Sequence, residues 1–298
     1  MSLKDIATAV AGSIRALAAA TPPAKGLAFQ SPDAPQGPTQ FMMPAHFDTM
    51  PVGEGSLDYR DVTTLAVSYL TDPDRLARLL PHPMQVAAEP RVTIFYAMNR
   101  EVEWLAGGGY NLMGVNAAVR FEGDVDQLDG NFCLALWEND STPITFGREL
   151  LGIPKMYAEI DDPTVLRGRW SAACHHRGRR FLDVSVVDLQ PLPADQVAAA
   201  AEASIKDNWL GWKYIPNTGA PGAAVSHATL VPTSSQPKEI WLGRGEAVWH
   251  ELTWHQHPTQ SHIINALSQL PILQYGAASV TRGASSLQAP GKTLRALR

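Results

Sequence analysis

The residues of this chain best suited to chemistry lie in PITFGRELLGIPKMY, positions 143 to 157. Lys155, one of seven lysines among 298 residues, sits there between Pro154 and Met156, seven positions after Arg148 and six after Glu149. Surface lysines usually have polar neighbours. This one has Gly, Ile and Pro before it and Met and Tyr after it. A lysine enclosed by apolar groups gives up its proton more readily, because burial disfavours the ammonium form. A neutral amine near pH 7 attacks a carbonyl and forms a Schiff base. A turn lysine whose charge reaches water along its own stem fits the same segment.

Two charged neighbours extend the idea. An arginine fork matches a carboxylate bidentately, so Arg148 is a candidate to hold a substrate carboxylate; holding Glu149 or Glu138 is the alternative. Glu149 is a candidate proton shuttle if its surroundings raise its pKa toward neutrality. Arg60, in LDYRDV, is open to either a substrate carboxylate or a structural salt bridge.

Other chemistries find little support. Nine histidines include His175 and His176 and a loose set at 250, 255, 257 and 262, but HExxH and CxxC are absent. His255 and His257 alone make a weak metal signal, so no metal and no cofactor is expected. GxSxG is absent. Cys133 alternates into a strand-like FCLALW, and Cys174 and His175 would point to opposite faces of a strand. Two cysteines make no disulfide framework and fit a cytoplasmic setting. Net charge is −5, and HHRGRR is the one basic cluster, so nucleic acid is not an expected partner. No run of 18 apolar residues exists, so no membrane span is expected.

The elements that must position the lysine read as mainly β with short helices, an α+β pattern without βαβ alternation. The first 57 residues are expected to form an N-terminal helix, ended by Pro22 and Pro23, and an extended arm rich in Pro, Gly, Ser and Asp. A catalytic domain is expected over 58–298. DVTTLAVSYL reads as a strand. Thr71 or Asp72 caps a short helix with Pro73 in its first turn and Pro81 as its stop. RVTIFYAMNREVEWL is again a strand. The three glycines at 107 to 109 permit a bend but lack the GxGxxG spacing. NFCLALWE, RGRWSAACHH and FLDVSVVDL follow as strands, then a helix in PADQVAAAAEASIKDNWLG. KYIPN, SHATLV, IWLG and EAVWHEL come next, with a short helix within 257 to 270 before LPILQYGAASVTRG.

At GRELLGIPK, residues 147 to 155, the chain resembles the acetoacetate decarboxylases, whose core motif is GREL-x-G-x-PK. YNLMGVNAAVRF, WENDSTPITFGREL, WLGWKYIPN and LPILQYGAASVTRGASSLQAP are similar to the family's flanking segments, so the likeness covers about residues 58 to 290. The resemblance implies a cone-like, largely antiparallel β-barrel with peripheral helices, a homo-oligomer and a small keto acid substrate. It implies that Lys155 forms the Schiff base, with Arg148 and Glu149 beside it and Arg60 as the family's arginine near the first strand.

The departures bear on the reaction. The family's second lysine is replaced by Met156, which is expected to keep the pocket apolar. A family glutamate two residues after a tyrosine is matched by Leu112 after Tyr110, and a second glutamate by Ile94. Tyr110, Leu112, Asn116 and Met156 are therefore the expected substrate-binding residues beside Arg60, with Asn111 and Asn116 candidates to orient water or a leaving hydroxyl. Two lost acids with Arg148 kept favour an enzyme that holds its carboxylate. The expected function is a Schiff-base lyase acting on a 2-oxo acid by aldol condensation or dehydration. Decarboxylation of a β-keto acid is the second reading, and a non-catalytic binding protein on the same fold is the third.

Overall fold

A computed structural model describes residues 42–43 and 57–298. The expected N-terminal helix and arm lie outside the described residues, apart from positions 42, 43 and 57.

One 15-stranded sheet dominates. Strand β1 (Asp58–Leu70) pairs antiparallel with β3 (Arg91–Val102), which pairs with β4 (Gly108–Glu122), which pairs with β5 (Gln127–Glu138). On the other side of β1 lie β14 (Gln274–Ser286), β13 (Ser234–Trp249), β10 (Arg179–Pro191) and β9 (Arg169–His176). Beyond β5 come β11 (Trp209–Pro216) and β12 (Ala223–Val231), and the short β2 (Met84–Val86) and β8 (Thr164–Leu166) pair with β4 and β9. Most neighbours are antiparallel; β5 pairs in parallel with β11 and with β6 (Lys155–Tyr157). The sheet runs from an edge at β15 (Arg295–Ala296) to an edge at β7 (Glu159–Ile160). The strand order does not close into a ring, and the mainly β, α+β class expected from the sequence holds.

The helices are short. In α1 (Pro73–Ala77) the Asp72 side chain accepts from the Arg75 backbone N–H at 2.8 Å, the cap expected from the sequence. Helix α2 (Ser141–Phe146) is capped in the same way by Asp140, which accepts from Thr142 N at 2.7 Å. Helices α3 (Ala194–Lys206) and α4 (Ser261–Ser268) complete the set.

Strand periodicity divides the sheet into two faces. Leu65, Val67 and Tyr69 of β1, Ile94 and Tyr96 of β3, Met113 and Val115 of β4, and Ala135 and Trp137 of β5 all enter the main core. Their alternates form the opposite face: Val62 and Thr64, Phe95, Ala97 and Asn99, Tyr110 and Leu112, and Leu136 and Glu138. A bulge in β1 between Tyr59 and Val62 returns Tyr59 to this second face.

Candidate active site

The second face walls a cavity of about 190 Å³. Lys155 reaches it by a short detour of the chain. After α2, a π-helical turn spans Gly147–Leu151 and ends at Gly152, whose φ of 73° is left-handed. The Ile153 N–H donates to Gly147 O at 3.0 Å, and the chain then runs beside β5 as β6. In that register Lys155 lies opposite Leu136, and Glu138 is two residues further along the same face. Such diagonal neighbours are within reach of long side chains.

The reach is made. Lys155 Nζ lies 2.8 Å from Glu138 Oε1, with the two side chains 6% and 0% exposed. Nζ also donates to Pro143 O at 3.2 Å. Apart from the Lys155 ammonium, neither carboxylate oxygen of Glu138 has a donor among the described residues. Burial pushes the Glu138 carboxyl above the usual carboxylate range, and the Lys155 charge opposes that shift. Lys155 and Glu138 are the charged residues among those lining the cavity.

Room for the lysine comes from Gly147. A β-carbon there would lie 2.3 Å from both Cδ and Cε of Lys155. The same face carries Tyr59 and Tyr110, whose hydroxyls are 3.3 Å apart. Burial pushes the Tyr59 phenol up to about 12 and that of Tyr110 well above its ordinary value, so both remain protonated. Asn99 is buried in the same wall, and its Nδ2 finds no acceptor among the described residues.

The remaining candidates separate. Tyr110 and Leu112 line the cavity. Met156 does not: it faces away from Lys155 on β6 and packs against the main core. Ile94 also belongs to the core face, which corrects its expected place in the pocket. Arg148 is exposed, and its Nη1 donates to Lys155 O at 3.0 Å, which anchors the lysine's backbone. Glu149 is half-buried on the π-helical turn and does not line the cavity. Arg60 is exposed and ion-paired with Glu103. Asn111 is a structural tie, its Nδ2 donating to Ile160 O at 3.1 Å and Asp162 Oδ1 at 2.9 Å. Asn116 accepts from Trp209 Nε1 at 3.3 Å in an adjoining cavity of about 310 Å³.

Sequence reasoning missed Glu138 and Asn99 as cavity residues. The signal for Glu138 was alternation: an acid at the end of the apolar NFCLALWE run, in phase with Leu136. Asn99 had a weaker one, the same parity as Phe95 and Ala97.

The profile of the acetoacetate decarboxylase (ADC) family matches residues 42–292. The chain belongs to the acetoacetate decarboxylase family. An acetoacetate decarboxylase of Burkholderia ambifaria (strain MC40-6) is 36% identical over 245 residues, covering 71% of this chain and 95% of that protein. One from Burkholderia cenocepacia (strain HI2424) is 38% identical over 120 residues; that match spans 40% of this chain and 44% of the relative's length. The crystal structure of an acetoacetate decarboxylase from Legionella pneumophila superposes with a TM-score of 0.67 at 21% identity, covering 91% of this chain and 93% of that one. At that identity the likeness establishes the fold, which is the acetoacetate decarboxylase fold.

Proposed function

We propose that the Lys155 amine attacks the ketone of a 3-oxo acid and that the resulting iminium drives the loss of CO2. The observation that carries this reading is the buried Lys155–Glu138 pair in a cavity wall that includes no arginine. Expulsion of water gives an iminium, an electron sink for the bond that breaks as the carboxylate leaves. The electron pair of that bond becomes an enamine. Protonation of the enamine carbon and hydrolysis release the ketone.

A decarboxylase must leave the substrate carboxylate loosely held. Here it would lie beside Glu138 and among Tyr59, Tyr110 and Leu112, with the Asn99 amide as a neutral donor for a substrate oxygen. The 2-oxo acid reading needed an arginine to hold the carboxylate, and neither Arg148 nor Arg60 lines the cavity. The identity to Burkholderia acetoacetate decarboxylases points the same way. The enzyme we infer is a cytoplasmic homo-oligomer acting on a small keto acid; among the described residues, no helix is long and apolar enough to cross a membrane.

The test is CO2 release from acetoacetate and longer 3-oxo acids by the wild type and by Lys155→Met. Release by the wild type alone supports the proposal. Absence of CO2 from every 3-oxo acid, with condensation of pyruvate and an aldehyde instead, overturns it.

A further inference from the structure

A wholly buried carboxylate is costly unless its lone pairs are met. Among the described residues Glu138 is the one buried carboxylate. Its side chain is 0% exposed, its charged contact is Lys155 Nζ at 2.8 Å, and neither oxygen has any other donor among the described residues. Glu138 is also the one carboxylate among the residues lining the cavity. The phenols of Tyr59 and Tyr110 are turned to each other.

We propose that Glu138 is the acid–base group of this site, moving protons at Lys155 Nζ and at the substrate carbon two bonds away from it. The proposal rests on the Schiff-base reading of Lys155. Glu138 takes one proton from the ammonium, and the freed nitrogen pair forms the C–N bond while the carbonyl π pair moves to oxygen. Glu138 returns that proton to the oxygen, then carries a second one from nitrogen to the departing hydroxyl. Water leaves with both hydrogens, and the iminium keeps the third. After CO2 departs, Glu138, reprotonated from water, delivers a proton to the enamine carbon. An oxygen within hydrogen-bond reach of Nζ is within reach of that carbon too.

Acetone in D2O separates this step from adduct formation. Exchange of its methyl hydrogens passes through the iminium and the enamine and needs a base at the carbon. The wild type is expected to exchange and to give a borohydride-trapped adduct on Lys155. Glu138→Gln is expected to form the adduct more slowly yet still reach it on long incubation, and to lose exchange by at least about a hundred-fold, the lower range for general acid–base catalysis. Leu112 and Glu138 are directly opposed across β4 and β5, and both face the cavity. Moving the carboxylate across, with Leu112→Glu in Glu138→Leu, is therefore expected to raise exchange at least tenfold over Glu138→Leu alone.

Exchange by Glu138→Gln within threefold of the wild type overturns the proposal. If Glu138→Gln melts below the assay temperature, the transposed variant decides. A folded double variant that exchanges no faster than Glu138→Leu also overturns it. Absence of any wild-type adduct with acetone or a 3-oxo acid removes the Schiff-base reading itself, and this proposal with it.

Discussion

Gly147 and Lys155 are packed so closely that the lysine side chain occupies the space a β-carbon at 147 would need, 2.3 Å from both Cδ and Cε. The glycine's φ of −66° is ordinary helical backbone, so its role here is space rather than conformation. The motif's glycine thus works as a channel through which the lysine enters the cavity.

Gly147→Ala should accordingly fold, because alanine accepts that backbone, at an overpacking cost of about 1–3 kcal/mol. Turnover should fall at least tenfold, since the amine is displaced from Glu138. Thermal melting together with borohydride trapping checks both halves. Wild-type activity in the alanine variant would show that the lysine has another route.

The two arginines should behave differently from each other. Arg60 is exposed and paired with Glu103, a kind of contact worth about 0–1 kcal/mol. Arg60→Ala should leave KM within about twofold. Arg148 donates to the backbone oxygen of Lys155 at 3.0 Å. Arg148→Ala should lower kcat more than it raises KM, because it loosens the nucleophile and not the substrate. Steady-state kinetics on both variants would separate the cases.

Much of this was legible in the sequence. The segments of β1, β3 and β5 read as strands, and Asp72 capped its helix as the TDP signal indicates. What escaped was the pairing of distant strands. Whether Leu112 meets an acid depends on β4–β5 register, and that register sets it opposite Glu138. The two acids counted as lost at Leu112 and Ile94 are indeed absent there, but this register brings in Glu138, which the sequence reading did not place in the pocket. Met156 escaped similarly, because only the pairing of β6 with β5 shows that it faces away from Lys155. The open sheet edge was hidden too, since closure is a property of the whole strand order.

Substrate length is a further expectation. The adjoining cavity shares Phe95, Trp209, Thr233 and Ser285 with the first, and Asn116, Asn131, Asn208 and Ser235 give it a polar lining. A 3-oxo acid with a hydroxylated or amide extension can fill both. Such substrates should exceed acetoacetate in kcat/KM by at least about tenfold, each buried methylene contributing about 0.8 kcal/mol. Competition assays across a chain-length series would read this directly. A steady decline with length would contradict it.

Stability should carry a pH signature away from the site. His257 is buried and stacked on His176 with ring centroids 3.7 Å apart, and neither ring nitrogen has a partner among the described residues. Burial lowers its pKa from 6.5 to about 4, with the His176 and Arg177 charges adding to the effect. The unfolded chain therefore takes up this proton first. Stability from His257 is present above pH 6.5 and is lost as pH falls toward about 4. His257→Phe should flatten the melting temperature over that window, and an unchanged slope would refute the assignment.

Every proposed step depends on a covalent bond between Lys155 and its substrate. Incubation with acetoacetate, borohydride reduction and mapping of the modified peptide by mass test it most directly. An isopropyl group on Lys155, the mass of reduced acetone imine, is expected, and none in Lys155→Met. Unmodified Lys155 across acetoacetate, pyruvate and longer keto acids, with reversible binding of any of them, would contradict the claim and favour a binding protein on the same fold.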